Sequence, residues 1–273
     1  MILDVRKAGN AGSFYPANPR DIQRFIEIFN KAASESKRLQ KALKLEPKAI
    51  ISPHAGYIYS GFSANIAHRV LANKRVKRVV VIGPSHHVYF RGLSGSFFKE
   101  YETPFGNIEI DLDYLAIINK NLGLTFAKDA HYKEHSTETQ MPFIKYYQPD
   151  VKVIELIYGE YSSEKLSQLV KWLLEDDLTS VVISTDLSHF YTLEKANTLD
   201  SICINAIEKL DTDILDLGCE ACGILGLKSV IKAAKELNLH SLVLDYRTSA
   251  DITNDKSSVV GYVSAAIYWL PLI

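Results

Sequence analysis

Cysteine is scarce in this sequence: Cys203, Cys219 and Cys222 are the only three in 273 residues. Three is an odd number and too few for a disulfide framework, so a reduced, cytoplasmic protein is expected. Long apolar runs are missing too. No stretch approaches the roughly 20 residues that a membrane helix needs. The opening "MILDVRKAGNAGSFYP" has neither an apolar core nor a small-residue cleavage pattern, which argues against a secretory signal. Nor is there an excess of one charge. The 31 basic and 32 acidic side chains leave a formal net charge of -1 and form no blocks, so neither nucleic acid nor an anionic membrane is an expected partner. Repeats, low-complexity tracts and Pro/Gly/Ser-rich linkers are also lacking. With 47% hydrophobic residues the chain can bury a full core, and one domain over residues 1–273 is expected.

What is present is a strand–helix rhythm. "KAIIS" (48–52), "RVVVIG" (78–83), "VKVIELI" (151–157) and "SVVIST" (180–185) are nearly continuous in Val and Ile, the pattern of strands covered on both faces. "SEKLSQLVKWLLEDD" sets Leu166, Leu169, Val170 and Leu173 on one helical stripe, and "LGLKSVIKAAKEL" does the same with Leu227, Val230, Ile231 and Ala234. The alternation predicts an α/β fold, a central mainly parallel sheet flanked by helices. A hairpin is expected around "PFGN" (104–107), and a further strand within "SSVVGYVSAAIYWL" (257–270).

In open α/β sheets ligands bind beyond the carboxyl ends of the strands. "KAIIS" runs into Pro53-His54, "RVVVIG" into Pro84-Ser85-His86-His87, and "SVVIST" into Asp186-Leu187-Ser188-His189. A lone histidine is more often structural than a ligand, but three at equivalent strand ends would gather on one rim. Adjacent residues on extended chain point to opposite sides, so His86 and His87 are not expected to face one ion together. His68, inside a helical pattern, and His240, without polar company, read as structural. "KEHSTETQMPF" (133–143) adds His135 at a helix entrance, with Ser136 or Thr137 as the expected cap and Glu138 as a first-turn carboxylate favoured by the helix dipole. Cys219 and Cys222 form a C-x-x-C. No second paired motif accompanies it, as a structural zinc site would require, and its flanks are not thioredoxin-like. Cys222 opens a helix, where the dipole is expected to favour thiolate. Thiolate beside imidazoles makes a soft metal site. Cys219 reads as a small buried apolar residue.

Together these motifs resemble the Memo family, which is similar in fold to the class III extradiol dioxygenases. "AGSFYP" (11–16), "SPHAGYIYSG" (52–61), "IGPSHH" (82–87), "TPFG" (103–106), "EHSTETQMPF" (134–143), "STDLSH" (184–189) and "CG" (222–223) carry the resemblance in order along nearly the whole chain. It implies one α/β domain with a pocket on the carboxyl rim of the sheet. It implies His54, His86 and Cys222 as metal ligands, favouring His86 over His87. Asp186, His189 and His135 resemble catalytic or supporting positions of the related dioxygenase pocket. Those dioxygenases hold Fe(II) with two histidines and a carboxylate, and Cys222 departs from that set. A softer thiolate lets copper(I) or zinc compete with iron, so iron or copper is the expected cofactor, with zinc as the alternative. Kinship of fold does not establish ring cleavage.

Two functions follow as expectations. One is a metal-dependent oxidoreductase in which His189 or His135 moves protons. The resemblance implies a pathway shared with a radical-SAM protein and an Ammecr-type domain, and leaves the substrate unnamed. The other is a binding module that keeps the pocket for a small-molecule or peptide ligand, as implied by the phosphotyrosine-peptide binding associated with animal Memo proteins. Phe14, Tyr15, Tyr57 and Tyr59 are candidates to line it.

Overall fold

The apolar runs become the middle of a sheet because their side chains alternate onto two covered faces. A computed structural model describes residues 2–270. Among these residues the strands are β1 (Leu3–Arg6), β2 (Ala49–Ser52), β3 (Arg78–Pro84), β4 (Leu93–Gly95), β5 (Phe98–Tyr101) and β6 (Ile108–Glu109). They continue with β7 (Lys152–Tyr158), β8 (Thr179–Ser184), β9 (His189–Tyr191), β10 (His240–Thr248) and β11 (Val259–Tyr268). The main sheet runs β10-β11-β2-β8-β3-β7-β4, with β9 paired to β11.

Val80 and Ile82 of β3 turn toward one face, with Ile154, Leu156, Val181 and Ile183. That face is covered by the helices Ser163–Glu175 and Ile224–Glu236, through the same Leu166, Leu169, Val170, Leu173, Leu227, Val230, Ile231 and Ala234 that form their apolar stripes. Val79 and Val81 turn the other way and meet Ile66, Ala67, Val70 and Leu71 of the helix Tyr57–Leu71. All four β3 side chains are fully buried. Each such side chain contributes about 1.5–3 kcal/mol relative to exposure.

The parallel pairing expected from the sequence holds for the four central strands β2, β8, β3 and β7. The margins are antiparallel: β10 with β11, β11 with β2, and β4 with β7. The sheet is therefore mixed. Between β10 and β11 the chain has room for only the short helix Ala250–Thr253, and a parallel return needs a longer crossover. The hairpin expected at "PFGN" forms between β5 and β6, with Gly106 at φ 105°, and β1 joins β5 to make a small second sheet. No helix among the described residues is long and apolar enough to cross a membrane.

Two expectations are corrected. The cysteines are not all reduced: Cys203, buried in the helix Leu193–Lys209, is bonded to Cys219 in the loop before Ile224–Glu236. The pair is 16 positions apart and belongs to no motif, and only the fold brings the two Cα atoms to 4.9 Å. The second correction concerns the helix His135–Glu138. Its cap is Glu134, whose side chain accepts from the Ser136 amide, and neither Ser136 nor Thr137 fills that role. Glu138 does lie in the first turn, and it is fully buried as an anchor. Its carboxylate accepts from Arg6, the Gly9 and Asn10 amides, the Asn10 side chain and the Tyr15 hydroxyl, tying the N-terminal segment to this helix.

Candidate metal centre

Three neighbouring strands deliver the site. His54 stands two residues past the end of β2, Asp186 two past β8, and His86 two past β3. Since β8 lies between β2 and β3, Asp186 is carried between the two histidines. Cys222 approaches from the loop that precedes the helix Ile224–Glu236.

Each imidazole is fixed by its far nitrogen. His54 is buried, and its Nδ1 lies 2.9 Å from Ser184 Oγ. That hydroxyl donates its single proton to the Ser136 carbonyl at 2.5 Å. It must therefore accept from His54 Nδ1–H, which leaves Nε2 with a free lone pair. His86 Nδ1 lies 2.8 Å from Glu134 Oε1, and its backbone amide donates to Glu134 Oε2 at 2.6 Å. The carboxylate fixes the same tautomer in His86. His54 Nε2 is 3.2 Å from Cys222 Sγ, and one donor atom from each of His54, His86 and Cys222 lies within 4.8 Å of the others.

Electrostatics favour the neutral forms of His54 and His135. Burial, and then the neighbouring His86, lowers the pKa of His54 well below the usual histidine value. Burial, then His54 and His86, lowers that of His135 to about 3. Burial acts to raise the pKa of Glu134, but the hydrogen bond and charge of His86 overcome it and hold the carboxyl at about 2. Cys222 does not follow the expectation from the helix dipole. Burial, reinforced by Asp186, pushes its thiol up to about 12. A coordinating cation reverses that balance and deprotonates a thiol outright.

Asp186 is almost wholly buried. Its Oδ1 accepts from the His54 amide at 2.8 Å, and its own amide donates to Cys222 Sγ at 3.2 Å. It therefore holds two of the three donors in place. Gly223 lets Cys222 come this close: a Cβ there would lie 2.5 Å from Thr185 Cβ and 2.7 Å from the Ser184 carbonyl oxygen, so only glycine allows this approach.

His135 lies across the pocket, its ring 4.5 Å from His86 and stacked at 4.5 Å on Phe14. Its buried Nδ1 has no hydrogen-bond partner among the described residues. His189, half-buried at the start of β9, is near enough to act electrostatically on His54 and Asp186. His87 is exposed, outside the three-donor set, with its ring 5.6 Å from His135. His68 is buried against Gln140, and His240 is exposed at the start of β10. Tyr15 and Tyr57 are core residues, whereas Tyr59 is 38% exposed.

Glu134 and Ser184, the two residues that orient the imidazoles, were not among the residues singled out in the sequence. Glu134 directly precedes His135, but nothing in "KEHSTE" marks it as the partner of a histidine 48 positions earlier. His86, Glu134 and His135 also lie close enough together to suggest a second ion. However, Glu134 already accepts three N–H groups, two from His86 and one from Ser136, and serves as a holder.

The donor set suits a transition metal. Two imidazole nitrogens at about 2.0–2.1 Å and a thiolate at about 2.3 Å from one tetrahedral ion would place N and S roughly 3.6 Å apart. The 3.2 Å between His54 and Cys222 needs only a small opening to match.

A family described as Memo-like protein matches residues 6–266. The chain belongs to the Memo family. Its relatives include proteins named MEMO1 family protein in Aquifex aeolicus, Desulfurococcus amylolyticus and Archaeoglobus fulgidus. The Aquifex protein is 32% identical over 271 residues, covering 96% of this chain and 98% of its own length. The Desulfurococcus protein is 32% identical over 274 residues, covering 94% and 97%. The Archaeoglobus protein is 31% identical over 265 residues, covering 92% and 95%. Memo membership thus spans both flanks of the sheet and every residue of the donor set.

Proposed function

We propose that this Memo protein is a metal-dependent redox protein that holds iron or copper between His54, His86 and Cys222. The observation that carries the reading is the paired orientation of the imidazoles. Both spend Nδ1–H on a buried acceptor, leaving Nε2 unprotonated beside one thiol. Three protein donors leave a four-coordinate ion one open position, the arrangement of a reactive site. When bound, the ion would supply Lewis acidity and one-electron chemistry at that position.

The surrounding residues divide the remaining work. Asp186 holds the His54 and Cys222 backbones in register. His135, neutral and without a hydrogen bond at Nδ1, which lies 3.6 Å from Glu134 Oε1, can take or give a proton there. His189, half-buried, can pass protons between the pocket and solvent.

The test is metal analysis by mass spectrometry after anaerobic purification without an affinity tag. About one iron or copper per chain is expected, in keeping with the single donor set. His54→Ala and Cys222→Ser should lose it while staying folded, with unfolding midpoints lowered by the stability that the bound ion contributes. Full occupancy in Cys222→Ser would show that the thiol is no ligand.

A further inference from the structure

All three cysteines of the chain converge on one place. Cys203 is fully buried in its helix, Cys219 is bonded to it, and Cys222 follows three residues later. The segment 216–222 starts beyond the buried Leu215 and ends against the buried Gly223, with Asp216, Leu217, Gly218 and Glu220 exposed between them. Its hydrogen bonds up to Glu220 lie at the surface. The Leu217 amide donates to the Ile214 carbonyl at 3.1 Å, the Gly218 and Cys219 amides to the Leu215 carbonyl at 3.3 and 3.0 Å, Lys228 Nζ to Asp216 at 2.6 Å and the Tyr191 hydroxyl to Glu220 at 3.0 Å. Exposed bonds of this kind open readily. Only Cys222 is held from inside, by the Asp186 amide. Among the described residues, the disulfide is the covalent tie from the middle of this segment into the core.

We infer that the Cys203–Cys219 disulfide is a redox-sensitive latch on the metal pocket, which holds Cys222 against His54 when closed and weakens metal retention when opened by a dithiol. The inference rests on the proposed metal site. Opening proceeds by attack of a dithiol's thiolate on the sulfur of Cys219, the half-buried residue of the pair, with Cys203 leaving as thiolate and taking up a proton. The reductant's second thiol then displaces Cys219. The S–S bond is replaced by two thiols, and the dithiol becomes a cyclic disulfide, having given two electrons and two protons. Cys203 stays buried as a small apolar side chain, whereas the segment 216–221 keeps only its surface hydrogen bonds and Cys222 is left to the Asp186 amide that donates to its sulfur. By linkage, a metal that requires Cys222 in place also favours the closed latch.

The experiment uses the full chain and zinc as the probe. Affinity is measured by competition with a chromophoric chelator in oxidised wild type, in the Cys203→Ala, Cys219→Ala double variant and in Cys219→Ser. No reductant is added, because thiols bind zinc. Cys219→Ser alters only the half-buried residue of the pair and guards against damage to the core at Cys203. Zinc should bind about 5- to 30-fold more weakly to both opened forms, within the usual range of coupling between sites. Amide hydrogen exchange should rise over residues 216–223 and not across the sheet. Equal zinc affinity in closed and opened forms overturns the latch, even where overall stability falls, since the bond is then only a structural staple. Oxidised wild type that binds no zinc overturns the metal-site reading itself, and the latch with it, before any bond is opened.

Discussion

In Glu134→Gln one carboxylate oxygen becomes an NH2 group, and the site leaves that group no harmless place. Oε1 accepts from His86 Nδ1 at 2.8 Å and from the Ser136 amide at 2.9 Å, while Oε2 accepts from the His86 amide at 2.6 Å. With NH2 at the second position, the His86 backbone N–H faces another donor. With NH2 at the first, the Ser136 amide loses its acceptor, and the imidazole can adapt only by accepting at Nδ1. Its proton then sits on Nε2, the nitrogen meant for the metal. Either way one buried N–H is left unpaired, at a cost to folding of about 1–3 kcal/mol. Loss of an orienting partner of a ligand histidine typically weakens metal binding about 10–100-fold, equivalent to about 1.4–2.8 kcal/mol. Chelator competition with zinc at neutral pH measures the second effect, and urea unfolding measures the first. A folded Glu134→Gln protein with zinc affinity within twofold of wild type would refute the claim that this carboxylate sets the tautomer of His86.

Two further outcomes are expected. Glu155 is fully buried, and burial alone would raise its pKa, but the charges of His131 and Arg6 hold it at about 2, below the ordinary 4.5. A depressed carboxyl stabilises the fold above its unfolded pKa. This contribution of roughly 3 kcal/mol is therefore complete above about pH 4.5 and is lost as the pH falls toward 2. Glu155→Gln should flatten the dependence of the urea midpoint on pH between about 5 and 2.5, and an unaltered slope would refute the assignment. In Gly223→Ala the new Cβ meets Thr185 and the Ser184 carbonyl, so the backbone must retreat and carry Cys222 with it. Destabilisation of about 1–3 kcal/mol is expected from the overpacking, together with at least a tenfold loss of zinc affinity; unchanged affinity would show that the loop tolerates the shift.

The centre of the sheet was legible because β2, β3, β7 and β8 are buried on both faces, and continuous Val and Ile runs are the direct imprint of that burial. The approach of His54 and His86 was legible for a related reason: each follows a strand end at the same short distance, and parallel strands bring equivalent positions to one rim, although on the third strand the pattern pointed to His189 and the equivalent position is held by Asp186. Cys222 was placed by resemblance, since nothing in "CEACG" alone points to His54. Its electrostatic surroundings were misjudged because a local rule about helix ends cannot register burial or Asp186. The antiparallel margins were obscured because "SSVVGYVSAAIYWL" reads as a strand without revealing the direction of its neighbours. Glu138 read as a first-turn carboxylate, and nothing in the sequence marked Arg6 or Glu155, yet all three are fully buried. Their partners lie up to 132 residues away in sequence, and only the finished fold assembles them.

His54 and Cys222 are separated by 168 positions and meet only after β2 and β8 have paired. An unfolded chain therefore contains no preformed site, and an ion that binds here binds the native state alone. Such a ligand adds about 2.7 kcal/mol of stability at a hundred times its dissociation constant. On the proposed metal site, the temperature at which this protein melts becomes a readout of metal supply, and starving a culture of metal would produce the same sequence as a less durable molecule.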